Sequence, residues 1–188
     1  KEGLLMATVQ NINTLEKKKI NWPIDTVSND GGFATSFSYE RLQAMMPGYG
    51  YLYSDADAYM NEDISEHTGL FLVDLSSQQR KLLLSLRRIA DFGPEESMQG
   101  TFHFVTHTEF SPDDRYIAFL HRWYKGTFRK TRLMVYELET GHLFASPTAG
   151  MVSHYHWNRE NGIVAYCRME GIDSHVYFSK PNMREWKR

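Results

Sequence analysis

The sequence predicts an all-β chain made of repeated four-stranded antiparallel meanders. Three observations lead there. Aromatic residues are 14% of the chain, with eleven Tyr, eleven Phe and four Trp. Such side chains favour pleated, half-buried surfaces. Short apolar runs alternate with turns rich in Gly, Asn, Asp and Ser, the signature of strands joined by tight connections. Finally, an aromatic-turn-strand unit returns after 47 residues, from Phe110 to Trp157 (157 minus 110), close to the roughly 40–50 residues of one propeller blade.

The clearest unit begins at Phe110, where Ser111-Pro112-Asp113-Asp114 separates two apolar runs. Pro sets φ and Asp closes the turn through its own side chain. Tyr116, Ala118 and Leu120 then alternate with Ile117 and Phe119; both sets are apolar, so the strand is expected to be buried on both faces. A charged loop over residues 125–132, a strand from Leu133 to Leu138, a Glu139-Thr140-Gly141 turn and a last strand from His142 to Ala145 complete a meander over residues 107–147. The next unit, residues 151–180, has strands at Tyr155, Ile163 to Cys167 and Ser174 to Phe178, with no recognisable fourth strand among residues 180–188.

Upstream, residues 22–86 read as a unit with strands at Ile24 to Val27, Phe33 to Phe37, Leu70 to Leu75 and Arg80 to Leu86. Val27 to Phe110 is 83 residues (110 minus 27), which points to insertions at residues 39–68 and 87–106. The first contains a short helix from Tyr39 to Met46, stopped by Pro47-Gly48; a helical turn fits Leu86 to Phe92. Residues 78–90 can also be read as a single amphipathic helix. Residues 1–20 read as the last two strands of a preceding unit, turning at Asn11-Ile12-Asn13. The chain is thus expected to be a partial propeller segment, completed by further blades or by a partner chain, and the start at Lys1 reads as that of a processed or excised piece.

Composition narrows function. With 21 Lys+Arg against 23 Asp+Glu the formal charge is −2, without the basic surplus of a dedicated nucleic-acid binder. One cysteine, Cys167, excludes an internal disulfide framework and a cysteine-based zinc site, and it reads as core. No apolar run is long enough to span a bilayer and no signal-peptide stretch is visible, so the cytoplasm is favoured, with the periplasm the alternative for a processed chain. Phosphate-loop, dinucleotide, nucleophile-elbow and His-Glu-x-x-His motifs are missing from the sequence.

The histidines carry the chemistry that remains. His154 and His156 fall on one face of a strand and form a candidate metal pair. His103 and His107 would meet on a helix; on a strand they lie about 13 Å apart, which leaves only His107 for the pocket. His107, His121 and Arg122 are the candidate catalytic residues: two bases and a planar fork for a carboxylate. Trp123, Tyr124, Lys125 and Arg132 form an aromatic, basic strip suited to an acidic saccharide, and less well to nucleic acid given the overall charge. Tyr49, Tyr51, Tyr53 and Tyr59, with Asp55, Asp57, Glu62 and Asp63 alongside, read as a binding lip or as stitching for the insertion. Asp55-x-Asp57 lacks the glycine and glutamate of a calcium loop.

The Phe-Ser-Pro-Asp-Asp-x-x-Ile-Ala-Phe stretch (allowing for position) resembles blades of TolB-like proteins and oligogalacturonate lyases. Trp22-Pro23-Ile24, Arg41-Leu42, Pro47-Gly48-Tyr49-Gly50-Tyr51, Leu120-His121-Arg122-Trp123 and Met151-Val152-Ser153-His154-Tyr155-x-Trp157 resemble an uncharacterised group of bacterial propeller proteins associated with polysaccharide gene clusters. The resemblance implies a seven-bladed propeller and a carbohydrate context. It also implies that His154 and His156 match a His-x-His manganese pair, whereas Met151 stands where the lyases carry glutamine; a thioether is a poor ligand for a hard ion. Three functions follow as expectations: an acidic-saccharide binder, a metal-assisted lyase working by β-elimination, or a protein-interaction scaffold.

Overall fold

Residues with branched or aromatic side chains cluster between turn-forming residues, and the computed structural model, which describes residues 5–51 and 57–188, forms antiparallel strands from these clusters. Four sheets follow one another along the chain, each a meander. The first is a hairpin of β1 (Ala7–Gln10) and β2 (Lys17–Ile20). The second holds β3 (Phe33–Ser36), β4 (Gly69–Asp74) and β5 (Arg80–Ser85). The third holds β6 (His103–Phe110), β7 (Tyr116–Lys125), β8 (Phe128–Glu137) and β9 (Leu143–Ala145). The fourth holds β10 (Val152–Trp157), β11 (Ile163–Met169), β12 (Ile172–Phe178) and β13 (Trp186–Lys187).

Two short helices lie between strands, each started by a serine. α1 (Tyr39–Met45) is capped by the Ser38 hydroxyl, which accepts from Arg41 N, and Pro47 follows its end. α2 (Leu86–Asp91) is capped likewise by Ser85, which accepts from Arg88 N. The single-helix reading of residues 78–90 is therefore replaced by strand, serine cap and helix. Among the described residues no helix is long and apolar enough to cross a membrane.

Several expected boundaries move. Residues 24–27 keep backbone hydrogen bonds to β3, Asp25 N to Thr35 O and Thr35 N to Thr26 O, but only Val27 forms a regular bridge, because Pro23 cannot donate and Asp25 turns its side chain to Thr108. The first hairpin turns over residues 11–16, which include the expected Asn11-Ile12-Asn13, and Lys17–Ile20 is its second strand. β6 starts at His103, four residues before the expected unit. The charged loop of residues 125–132 is almost entirely strand: β7 and β8 pair from Tyr116↔Glu137 to Lys125↔Phe128, leaving Gly126 and Thr127 as the turn, with Gly126 at φ +61. The missing fourth strand exists as β13, only two residues long, paired with Tyr177 and Phe178.

The same turn is built three times. Ser28 N bonds Phe33 O and its hydroxyl serves Asp30 and Phe33 N. Ser111 does the same with Tyr116 O, Asp113 and Tyr116 N. Asn158 closes a version one residue shorter, with Gly162 O and Gly162 N. The turns are also joined to each other: Asp114 accepts from Asn29 N, Asn29 Nδ2 and Asp30 N at 2.8–3.0 Å, and Asp113 accepts from Asn161 Nδ2 at 2.6 Å. Replacing Asp114 by Ala should cost about 1–2 kcal/mol through these charge-assisted bonds, read as a lowered denaturant midpoint; an unchanged midpoint would show that the stitch carries no weight.

Packing repeats with the turn. Ile117 and Phe119 of β7 face the second sheet, together with Phe37, Leu70, Leu84, Met134 and Tyr136. Ala118 and Leu120, on the other face, meet Trp157, Ile163 and Ala165 of the fourth sheet. β7 is thus buried on both faces over residues 117–120, as the alternation of two apolar sets requires. After its shorter turn, the fourth sheet places Ile163, Ala165 and Cys167 backwards and Val164 and Tyr166 forwards. The forward pair is 43% and 37% exposed, while Ala118 and Leu120 are fully covered. Cys167 is core, and burial pushes its thiol up to about 11.

Candidate functional site

The site grows out of an irregularity in β6. Thr106 pairs Leu120, but Glu109 pairs Ala118, so one extra residue is inserted as a β-bulge. His107 lies in it at φ +51, in the left-handed region that a non-glycine residue rarely occupies. The Tyr155 hydroxyl of β10 donates to His107 O, and Asp25 accepts from Thr108 N and Oγ1 at 2.7 and 2.6 Å. Both neighbours hold the bulge. Its consequence is that the His107 imidazole projects between two adjoining cavities instead of following the strand alternation.

One cavity, of about 410 Å³, is lined by His107, Arg122, Arg129, His154, Tyr49 and Met151. Arg122 dominates it. The residue is only 3% exposed, Nη1 touches Met46 Sδ at 3.0 Å, and Nε has no hydrogen-bond partner. Among the described residues no carboxylate comes within ion-pairing distance. Burial, then the nearby Arg129, brings its pKa down to about 10, so it remains charged at neutral pH. An unpaired buried cation costs several kcal/mol, and an anion entering the cavity would relieve that cost. Burial, followed by Arg122, also holds the His107 pKa below its ordinary value.

The other cavity, about 350 Å³, shares His107 and His154 and adds Asp25, Glu109 and His156. His156 Nδ1 lies 2.5 Å from Glu109 Oε1. Glu109 is pushed up by burial and pulled back by His156. This pairing was not legible in the sequence, because the bulge places Glu109 on a face that simple alternation from His107 does not give.

The manganese pair implied by the resemblance fits poorly. Among the described residues no three His, Cys, Asp or Glu side chains gather to hold a metal ion. His156 is turned to Glu109, and Met151 supplies only a thioether to the cavity. No step is therefore assigned to a metal.

His121, Trp123 and Arg132 are not in the groove. Successive strand residues point to opposite faces, so the run from Leu120 to Tyr124 divides: Arg122 reaches the groove while His121 and Trp123 turn into the interior. His121 and Trp123 are fully buried. Arg132, opposite His121 in the ladder, donates through Nε to His121 Nδ1 at 3.0 Å and through Nη1 and Nη2 to Gly93 O and Ile89 O. Because His121 Nδ1 accepts, its proton is on Nε2 and is donated to His103 Nδ1 at 2.8 Å. His103 Nε2–H then faces Thr101 Oγ1 and Met98 O. Each tautomer follows from the one before. This relay of two neutral imidazoles ties α2 and residues 93–101 to the third sheet, and corrects the expectation of His121 as a base and Arg132 and Trp123 as ligand contacts. Tyr124 is half-buried, donating to Met45 O at 2.7 Å and stacking near Phe104, so it braces α1. Lys125 ends β7, and its side chain lies outside the described residues.

The tyrosine cluster also divides. Tyr49 reaches the Arg122 cavity, Tyr51 leans on Tyr39 with ring centres 5.8 Å apart, and Tyr59 lines a separate cavity. Asp57 pairs with buried Arg41 at 3.1 Å. Tyr53 and Asp55 lie outside the described residues. In a comparison with known proteins, no protein-family model matches the chain and no curated protein is similar to it.

Proposed function

We propose that the chain is a segment of a β-propeller that binds an acidic saccharide in the Arg122 cavity. The observation that carries the ligand is Arg122 itself, a buried guanidinium with an unpartnered Nε and, among the described residues, no carboxylate within ion-pairing distance; Asp173, which also lines the cavity, is paired with Arg168. Its planar fork suits a uronate carboxylate, and Arg129 adds positive charge at the mouth. The propeller reading is supported by the threefold turn, by sheets that pack forward face on backward face, and by the uncovered forward face of the fourth sheet, which in a seven-bladed ring would meet the next blade. Calorimetric titration with oligogalacturonate should give saturable binding that weakens with salt. Arg122→Gln should lower affinity at least tenfold, and Arg122→Lys should recover only part of it, since charge returns without the fork. Equal affinity in all three proteins would refute the reading.

A second reading, lyase activity, is favoured by the strained His107 beside Arg122. Here His107 takes the C5 proton of the bound uronate, C4–C5 becomes a double bond, the C4–O bond breaks, and water protonates the leaving oxygen. Arg122 stabilises the charge that builds on the carboxylate. His107→Asn preserves a residue type that tolerates the left-handed region, so it tests chemistry without disturbing the bulge. Ultraviolet absorbance of unsaturated product should appear with wild type and vanish with this variant; no product from wild type leaves the binding function alone.

A further inference from the structure

A third cavity lies away from the histidine groove, between the segment after the first hairpin, the start of α1 and the face of β4 and β5. Its volume is about 270 Å³, below the roughly 300–1,000 Å³ of drug-sized sites. Trp22, Phe37, Tyr59 and Phe71 give it apolar walls, and Glu40 and Arg80 bring opposite charges to it.

The Arg80 guanidinium carbon lies over two rings, 4.0 Å from the centre of Trp22 and 4.2 Å from that of Phe71. Both are cation–π contacts, and the guanidinium, which lines the cavity, carries its N–H donors in its own plane. Glu40 is only 8% exposed. Its carboxylate takes a hydrogen bond from Ser38 Oγ at 3.1 Å, and burial raises its pKa above the usual carboxylate value. The two groups sense each other's charge, yet no ion pair joins them within bonding distance. Asp57 also lines the cavity and acts on Arg80 more strongly than Glu40 does, but its carboxylate is paired with Arg41 at 3.1 Å, and His67 adds an imidazole to the wall. The cavity thus presents a donor fork in Arg80 and, in Glu40, a carboxylate with no ion pair within bonding distance, on partly apolar walls.

We propose that this cavity binds a small amino-acid zwitterion with an apolar side chain. Its carboxylate lies in the Arg80 fork, its ammonium group meets Glu40, and its side chain packs on the aromatic walls. A carboxylate ligand matches the in-plane donors, while an ammonium group gives the buried Glu40 the cation it lacks. This site is independent of the Arg122 cavity and of what binds there.

The test is calorimetric titration with three probes of one shape: L-phenylalanine, 3-phenylpropionate, which lacks the ammonium, and 2-phenylethylamine, which lacks the carboxylate. Wild type should bind phenylalanine saturably and each single-charge analogue at least tenfold more weakly. Arg80→Gln should reduce phenylalanine affinity at least tenfold without changing the phenylethylamine signal; Glu40→Gln should do the converse with phenylpropionate unchanged. If Arg80→Gln fails to fold by circular dichroism, the analogue series on wild type and the isosteric Glu40 variant decide. Equal affinities for all three probes, or no heat with any, would overturn the proposal. Oligogalacturonate titrated into the same samples reports separately on the Arg122 cavity.

Discussion

Replacing Trp123 by Ala is expected to cost about 3–5 kcal/mol of folding stability, the range for removing a buried Trp side chain. The indole is fully buried and donates to Ser97 Oγ at 3.1 Å. Its ring centre lies 5.1 Å from His121 and 6.1 Å from His103, with the Arg132 guanidinium 5.8 Å from its centroid. The ring therefore covers the imidazole relay, and its loss would admit water to buried groups that now bond only within the protein. A sequence reading that sees Trp123 as a saccharide platform predicts the opposite: intact stability and lost binding. Denaturant unfolding of Trp123→Ala, together with saccharide titration at a temperature where the variant is folded, separates the two. A variant as stable as wild type that no longer binds saccharide would show that the buried role is wrong. Trp123→Phe keeps most of the apolar volume and loses only the Ser97 bond, so it should fall between wild type and Ala while still binding.

This contrast shows where the sequence is legible. The turn after Phe110 was readable, although the Ser111 side chain closes it together with Asp113, and the two short helices lie where they were expected. The double apolar alternation over residues 117–120 correctly implied a strand covered on both faces. The errors came from charge and shape. Lys130 and Arg132 looked like loop residues because a single sequence does not reveal that Arg132 can bury its guanidinium against His121 and two helix-end carbonyls. β13 was invisible because two residues carry no periodicity. Trp123, Tyr124, Lys125 and Arg132 were read as one strip, although strand geometry lets only alternate residues of a run share a face. The site itself depends on a one-residue bulge and on distances between sheets: Glu109 meets His156, 47 residues away (156 minus 109), through packing that no local pattern encodes.

Acid should unfold this protein earlier than its carboxylates alone would require, because of the two imidazoles in the relay. Burial brings His103 down to about 4 and holds His121 well below its ordinary value, whereas both return to about 6.5 when the chain unfolds. The unfolded state therefore binds more protons than the folded state below about pH 6.5, so unfolding free energy falls as pH falls. It is fully present above that value and lost progressively down to the folded pKa. Each histidine contributes up to about 1.4 kcal/mol per pH unit, and for His103 the loss reaches about 3 kcal/mol by pH 4, a large part of the roughly 5–15 kcal/mol that holds a domain folded. Protonation has no structural outlet: the second imidazole already donates to the first, Arg132 already occupies its other nitrogen, and a third proton would meet that guanidinium. Urea midpoints measured from pH 7.5 to 4.5 should decline steadily below pH 6.5. His103→Asn should be less stable at pH 7.5, because the relay is broken, but should show a shallower decline, because one titrating group is gone. A wild-type midpoint that stays level to pH 5, or an equal slope in the variant, would mean that the relay is not held neutral by the fold.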